Sequence, residues 1–283
     1  MIGINGGFRV RELQELGAGE IVALEQEKEI YHLVTRYHAS ANASFLKDPR
    51  VRILRKSPLS YLAGRPPRFD IIELGLEELN ASDSSKYLVT VEAVDLYYES
   101  LSPSGLLAIP VSIEQLTVYA LKMLENVRAA LIRAGVREPW RHIAVYRTSW
   151  TAMILVSKGP LSGAEIRALK EFCNDRSFDV SFYPGIEADR VEVWNELPPV
   201  SLEERAYEAG DEGPRDALRE EALQLLRGDA ASFLAENFFD LRPSTLDRPG
   251  FYGVLRFNRL GRILARISAI PQEEIGGLIN YAV

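Results

Sequence analysis

Five residues near the start, Gly3-Ile4-Asn5-Gly6-Gly7, and one carboxylate eighteen positions beyond them, Glu25, have the types and spacing that hold a nucleoside. Glycines let a backbone approach a ligand closely, and the N-terminus of a following helix presents free N–H groups to electron-rich atoms. An acid at the end of the next strand can accept hydrogen bonds from both hydroxyls of a ribose. Each feature also has a plain structural explanation, because many strand-to-helix turns need glycine and a strand-end glutamate can be an ordinary surface group. Turn, helix, strand and acid in that order make Gly3, Asn5, Gly6, Gly7 and Glu25 the candidate binding residues.

The elements that must position them follow from the pattern of apolar residues. Ile21–Leu24, Val51–Leu54, Phe69–Leu74 and Leu106–Pro110 are short apolar runs of strand type. Phe8–Leu16, Lys28–Tyr37 and Val91–Ser100 carry apolar residues at helical spacing. This alternation implies an α/β fold with a mostly parallel sheet and helices on both faces. Pro103-Ser104-Gly105 predicts a turn before the Leu106 strand, and Ser112 predicts the start of a long helix ending near Ala134, capped by Gly135. His142–Arg147 and Thr151–Val156 then read as an antiparallel hairpin, Leu161–Phe172 as a helix and Phe178–Tyr183 as a strand. The first strand holds only Met1 and Ile2 before the glycine turn, against a usual length of about five or six residues, so a partial chain is the expectation.

Composition narrows the classes of function. The 283 residues carry 33 Lys+Arg against 40 Asp+Glu, a net charge of −7 that argues against general nucleic-acid binding. One cysteine, Cys173, excludes an internal disulfide and a cysteine cage for zinc, and His32, His38 and His142 lack metal-ligand spacing, so no metal is expected. No apolar run approaches the roughly 18–20 residues that span a bilayer. Neither G-x-S-x-G nor a Walker loop occurs. His142 and Cys173 read as structural, as do Tyr87, Tyr97 and Tyr98, whose other role would be to line an acceptor pocket.

With those residues placed, the chain resembles the spermidine synthase-like branch of the class I S-adenosylmethionine-dependent methyltransferases. Gly3-Ile4-Asn5-Gly6-Gly7 looks like the family's glycine-rich motif and Val22-Ala23-Leu24-Glu25 like its ribose-binding strand end. Asp48-Pro49-Arg50-Val51-Arg52, Phe69-Asp70-Ile71-Ile72, Thr90-Val91-Glu92 and Leu101-Ser102-Pro103-Ser104-Gly105-Leu106-Leu107 resemble further motifs in their proper order, over roughly residues 1–185. The resemblance implies a Rossmann-like fold and S-adenosylmethionine or its decarboxylated form as co-substrate, with a small acceptor left unnamed. It is closest to a bacterial subgroup in which such a domain adjoins membrane-spanning helices, judged from Pro139-Trp140-Arg141-His142-Ile143 and Asp247-Arg248-Pro249.

Departures from the pattern bear on chemistry. Where the family places acids, this chain has Ser57, Gly75 and Asn5. Glycine at 75 cannot hold a cationic polyamine or deprotonate its amine, so methyl transfer is favoured over aminopropyl transfer. Glu73, two residues earlier on the same strand face, is the candidate base or polar wall of the site, and Glu77 and Glu78 follow in the next loop. The alternative is a catalytically degenerate domain serving as an interaction or regulatory module of a membrane-associated protein.

Three segments are expected: a nucleotide-binding domain over 1–190, an acidic linker with a short helix over 191–228, and a basic amphipathic extension over 229–283. From Ser201 to Glu221 there are eight acidic residues and three arginines, the mark of a solvated stretch. Within 250–271 the only charges are Arg256, Arg259, Arg262 and Arg266, a pattern that suits either packing on the domain or contact with an anionic membrane surface. The expected location is the cytoplasm, with the inner face of the membrane as the alternative. A homodimer is left open.

Overall fold

The structure is a computed structural model that describes residues 1–4, 6–75, 85–114, 116–187, 191–195, 197, 216–254 and 256. Among the described residues seven strands are β1 (Ile21–Glu25), β2 (Val51–Arg55), β3 (Phe69–Glu73), β4 (Leu101–Ser112), β5 (Ile143–Arg147), β6 (Thr151–Ser157) and β7 (Asp179–Phe182). β1 pairs with β2, and the other five lie in the order β3-β4-β6-β5-β7. Ile2 joins the two groups by bridging in parallel to Leu24 on one side and Leu74 on the other. β1 to β5 therefore run one way, with β6 and β7 against them, which gives a mixed, mostly parallel, Rossmann-like sheet.

Helices lie on both faces because both faces of the strands are apolar. On one face Ile21 and Ala23 pack with Ile4, with Val10 of α1 (Phe8–Glu15), with Val34, and with Phe45 of α3 (Ala43–Leu46). On the other face Leu107, Ile109, Val111, Val145 and Ile154 meet α5 (Val91–Glu99), α6 (Val118–Arg133) and α8 (Ala217–Arg227) in the larger core. Local chemistry fixes the ends of these helices. Thr90 caps α5 by accepting from the Ala93 amide, and Asp216 caps α8 by accepting from Arg219. α6 ends in a Schellman turn: Gly135 at φ 84° donates to Ile132, and Val136 donates to Leu131. α7 (Gly163–Asp175) opens with a capping box between Ser162 and Glu165.

Several expectations are corrected. Pro103-Ser104-Gly105 is not a turn ahead of a strand but a bulged part of β4, where Phe69 faces Leu101 and Ile71 already faces Leu106. A Cβ at Gly105 would lie 2.8 Å from the Phe69 carbonyl oxygen, so glycine permits this close approach. Ser112 does not start a helix. It pairs with Thr151 in the β4–β6 ladder, and α6 begins only at Val118. The expected helix Lys28–Tyr37 divides into α2 (Lys28–His32) and a π-helical turn, Leu33–Tyr37.

Residues 216–228, the described end of the expected linker, form α8 and its cap. Leu218, Ala222, Leu225 and Leu226 of α8 are buried in the larger core, joined further along by Leu241, Phe251 and Val254. Arg147, Asp179 and Asp216 are buried with it. Arg147 Nη1 lies 3.0 Å from Asp179 Oδ2 and its Nε lies 3.1 Å from Asp216 Oδ2. Ser181 Oγ donates to the same Asp216 oxygen at 2.9 Å, and the Trp194 and Asn195 amides donate to Asp179. Among the described residues no helix is long and apolar enough to cross a membrane.

Candidate functional site

The glycine turn sits where the carboxyl ends of β1 and β3 meet. Ile2 donates to the Glu73 carbonyl at 2.7 Å, Gly75 donates to Ile2 at 2.7 Å, and Gly3 donates to Leu24 at 2.8 Å. Gly3 then takes φ 82°, which turns the chain out of the sheet. Gly7, at φ 81°, is the N-cap of α1, and a Cβ there would lie 2.6 Å from a Phe45 ring atom. Gly6 is exposed, and a Cβ on it would lie 3.1 Å from the ring of Phe8, itself 76% exposed. Asn5 lies outside the described residues.

Glu25 turns toward this loop. It is fully buried at the end of β1; Oε2 accepts from the Ile4 amide at 3.2 Å and Oε1 accepts from the Glu27 amide at 2.8 Å. Burial raises its pKa above the ordinary glutamate value, while the Glu27 and Ile4 amides oppose that shift. The carboxylate thus organises the loop directly, and a nucleoside reaches it only when the groups enclosing it move. Two clefts lie elsewhere: one below Met1 and Ile2, lined also by Val22, Leu24, Phe69 and Ile71, and one on the outer side of α1 beside Arg11, Gln14, Ser44 and Arg50. Neither is lined by Glu25.

Glu73 is engaged by a residue that no motif or spacing singles out. Arg9, on the first turn of α1, donates through Nε to both carboxylate oxygens at 2.7 and 3.0 Å and through Nη2 at 2.9 Å. The bonds it donates to Glu73 are the main reason that the Arg9 pKa stands above its ordinary value, and Arg9 also reaches Glu12 at 2.8 Å. Both oxygens of Glu73 are thus engaged by one guanidinium, so action as a base would first require Arg9 to let go. Sixty-four positions separate the pair, and only the fold, which carries the first turn of α1 past the end of β3, brings them together. Glu77 and Glu78 lie outside the described residues.

Tyr97, Tyr98, His142 and Cys173 take structural places, whereas Tyr87 is exposed. Tyr97 is buried with its hydroxyl on the Leu88 carbonyl, and Tyr98 donates to the Lys158 carbonyl at 2.8 Å. Buried His142 places Nδ1 3.1 Å from the Ser157 carbonyl. Cys173 is buried on α7, and burial pushes its thiol pKa up to about 12, which makes it unreactive. Arg256 donates to the carbonyls of Ala235 and Phe239, toward the protein and not outward. Arg259, Arg262 and Arg266 lie outside the described residues. Among the described residues no group of three or more His, Cys, Asp or Glu side chains could hold a metal ion.

No protein-family model and no curated protein matches the chain. Solved structures with the spermidine synthase-like and class I methyltransferase fold do match. A spermidine synthase from Thermotoga maritima is 18% identical with a TM-score of 0.45, over 58% of this chain and 54% of that one. A spermidine synthase in complex with the transition-state analogue AdoDATO is 17% identical with a TM-score of 0.43, over the same shares. A ribosomal protein L11 methylase from Lactobacillus delbrueckii subsp. bulgaricus is 15% identical with a TM-score of 0.37, over 56% of this chain and 68% of that one. The match spans about half the length of the two spermidine synthases.

Proposed function

We propose that this chain binds S-adenosylmethionine, or its decarboxylated form, and transfers a group from it to a small acceptor. The observation that carries the reading is the Glu25 carboxylate bonded to the Ile4 amide inside the glycine turn, at the carboxyl edge of a mostly parallel sheet. Open α/β sheets bind nucleotides at that edge. Gly3, Asn5, Gly6 and Gly7 surround the amino-acid and ribose end of the ligand, and Glu25 accepts from the ribose hydroxyls.

Bound there, the co-substrate supplies an electrophilic carbon on a sulfonium, so the protein's own task is to position the acceptor and exclude water. Methyl transfer fits this chain better than aminopropyl transfer. Gly75 offers no carboxylate and Glu73 is bonded to Arg9, so the described residues provide no free acid beside the loop for a polyamine. The same pair favours a second reading, a domain that holds the ligand and transfers nothing.

Calorimetric titration with S-adenosylmethionine, decarboxylated S-adenosylmethionine and S-adenosylhomocysteine tests the proposal. Micromolar binding to one of them, weakened at least tenfold in Glu25→Ala, is the expected result; no heat with any of the three ends it. Binding without product across amine, carboxylate and hydroxyl acceptors selects the second reading.

A further inference from the structure

Arg9 has donors left over from its bonds to Glu73. That carboxylate occupies one edge of the guanidinium, accepting from Nε at 2.7 and 3.0 Å and from Nη2 at 2.9 Å, while Glu12 accepts a single bond from Nη1 at 2.8 Å. Each terminal nitrogen carries a pair of protons, so one N–H on Nη1 and one on Nη2 have no acceptor among the described residues. The Arg9 side chain is 41% exposed, which leaves the group open to a ligand from solution.

The two carboxylates on Arg9 are not held alike. Glu73 is 17% exposed and lies along the Nε–Nη2 edge, whereas Glu12 is 61% exposed and bonded once, an i,i+3 pair of the kind that contributes little in water. A third carboxylate arriving at Arg9 therefore displaces Glu12 into solvent and leaves the bonds to Glu73 intact. The exchange keeps one anion for another at the guanidinium, so no buried charge is left uncompensated.

Position decides which carboxylate that is. Arg9 lies on the first turn of α1, just beyond the N-cap Gly7, and the strand end it grips also accepts from Ile2 at the root of the glycine turn. Ile2 separates the β1 end, with Glu25, from the β3 end, with Glu73. The two ends thus stand two strand spacings apart, about 10 Å. An extended S-adenosylmethionine spans a comparable distance from its ribose hydroxyls to the carboxylate of its methionine end.

We propose that Arg9 distinguishes S-adenosylmethionine from its decarboxylated form, taking the α-carboxylate on Nη1 and Nη2 in exchange for Glu12. The inference rests on the nucleoside site proposed at Glu25 and selects between the two co-substrates left open there. The α-carboxylate is the one group by which they differ, and a guanidinium edge receives it through two parallel charge-assisted bonds. The decarboxylated ligand offers no acceptor at that place, so Glu12 stays on Arg9.

Calorimetric titration of the full chain with each of the two ligands, in the parent, Arg9→Met and Glu12→Gln, tests the assignment. The parent is expected to bind S-adenosylmethionine about tenfold more tightly, the effect of one partly exposed charge-assisted pair. Arg9→Met should lower S-adenosylmethionine to the affinity of the decarboxylated form and leave the latter unchanged. Glu12→Gln removes the competing anion at an exposed position, and should tighten S-adenosylmethionine alone by about threefold. Equal affinities in the parent, an equal loss for both ligands in Arg9→Met, or an unchanged ratio in Glu12→Gln overturns the role of Arg9 and leaves the nucleoside site standing. Binding of neither ligand removes that site, and this role with it.

Discussion

Arg9 and Glu73 form a three-bond clasp between α1 and β3, with the guanidinium 41% and the carboxylate 17% exposed. Its partial exposure discounts its value, so Glu73→Gln should cost about 1 kcal/mol and lower Tm by about 2–4 °C. Titration with S-adenosylhomocysteine should give the same affinity as the parent chain. A large loss of turnover with KM and Tm unchanged would instead return Glu73 to the role of base.

Glu25 gives a dependence on pH. A carboxyl whose folded pKa is raised binds its proton more tightly in the folded chain, so its contribution to stability is complete below the ordinary value of 4.5 and is lost as pH climbs through the raised value. A ribose needs the ionised form as acceptor, so affinity moves the other way. S-adenosylhomocysteine binding should weaken on acidification with a midpoint above 4.5, and Glu25→Gln should abolish that dependence. A midpoint at or below 4.5 would show that the loop contact leaves the carboxyl unperturbed.

Gly7 combines a left-handed backbone with a side chain in the way. Gly7→Ala should cost about 2 kcal/mol or more, from φ strain of about 1–2 kcal/mol plus the contact with Phe45. Gly7→Ala combined with Phe45→Leu separates the two causes: the smaller side chain should recover the steric part and leave the strain. Urea melts of the three chains measure both, and full recovery would refute a backbone cost.

The cluster around Arg147 predicts the largest loss of stability. Removing the guanidinium leaves Asp179 and Asp216 facing each other in a dry interior, and Arg147→Met should cost about 3–5 kcal/mol. Tryptophan fluorescence should report release of the 194 segment at lower urea than global unfolding, because the Trp194 amide is held only through Asp179 among the contacts described. Coincident transitions would show that the cluster and the core melt as one unit.

Local pattern was enough for elements whose own residues specify them. Ile21–Leu24, Val51–Leu54 and Phe69–Leu74 lie within a residue of β1, β2 and β3 because their apolar runs are bounded by polar or turn residues. The pattern misled where tertiary pairing overrides turn chemistry: Leu101–Gly105 stays in β4 because β3 and Lys158 supply partners to a bulged backbone. At the site, the glycine turn and Glu25 were legible because spacing alone relates them. Arg9 was not, since nothing near position 73 announces a cation on α1, and the same holds for the joining of 147, 179 and 216.

Arg256 closes the carboxyl end of α9 (Ala230–Glu236) by donating to the carbonyls of Leu234, Ala235 and Phe239, immediately before the stretch 257–283. Replacing that guanidinium would take one shared donor from three carbonyls at once, so a single side chain ties this turn of the chain together.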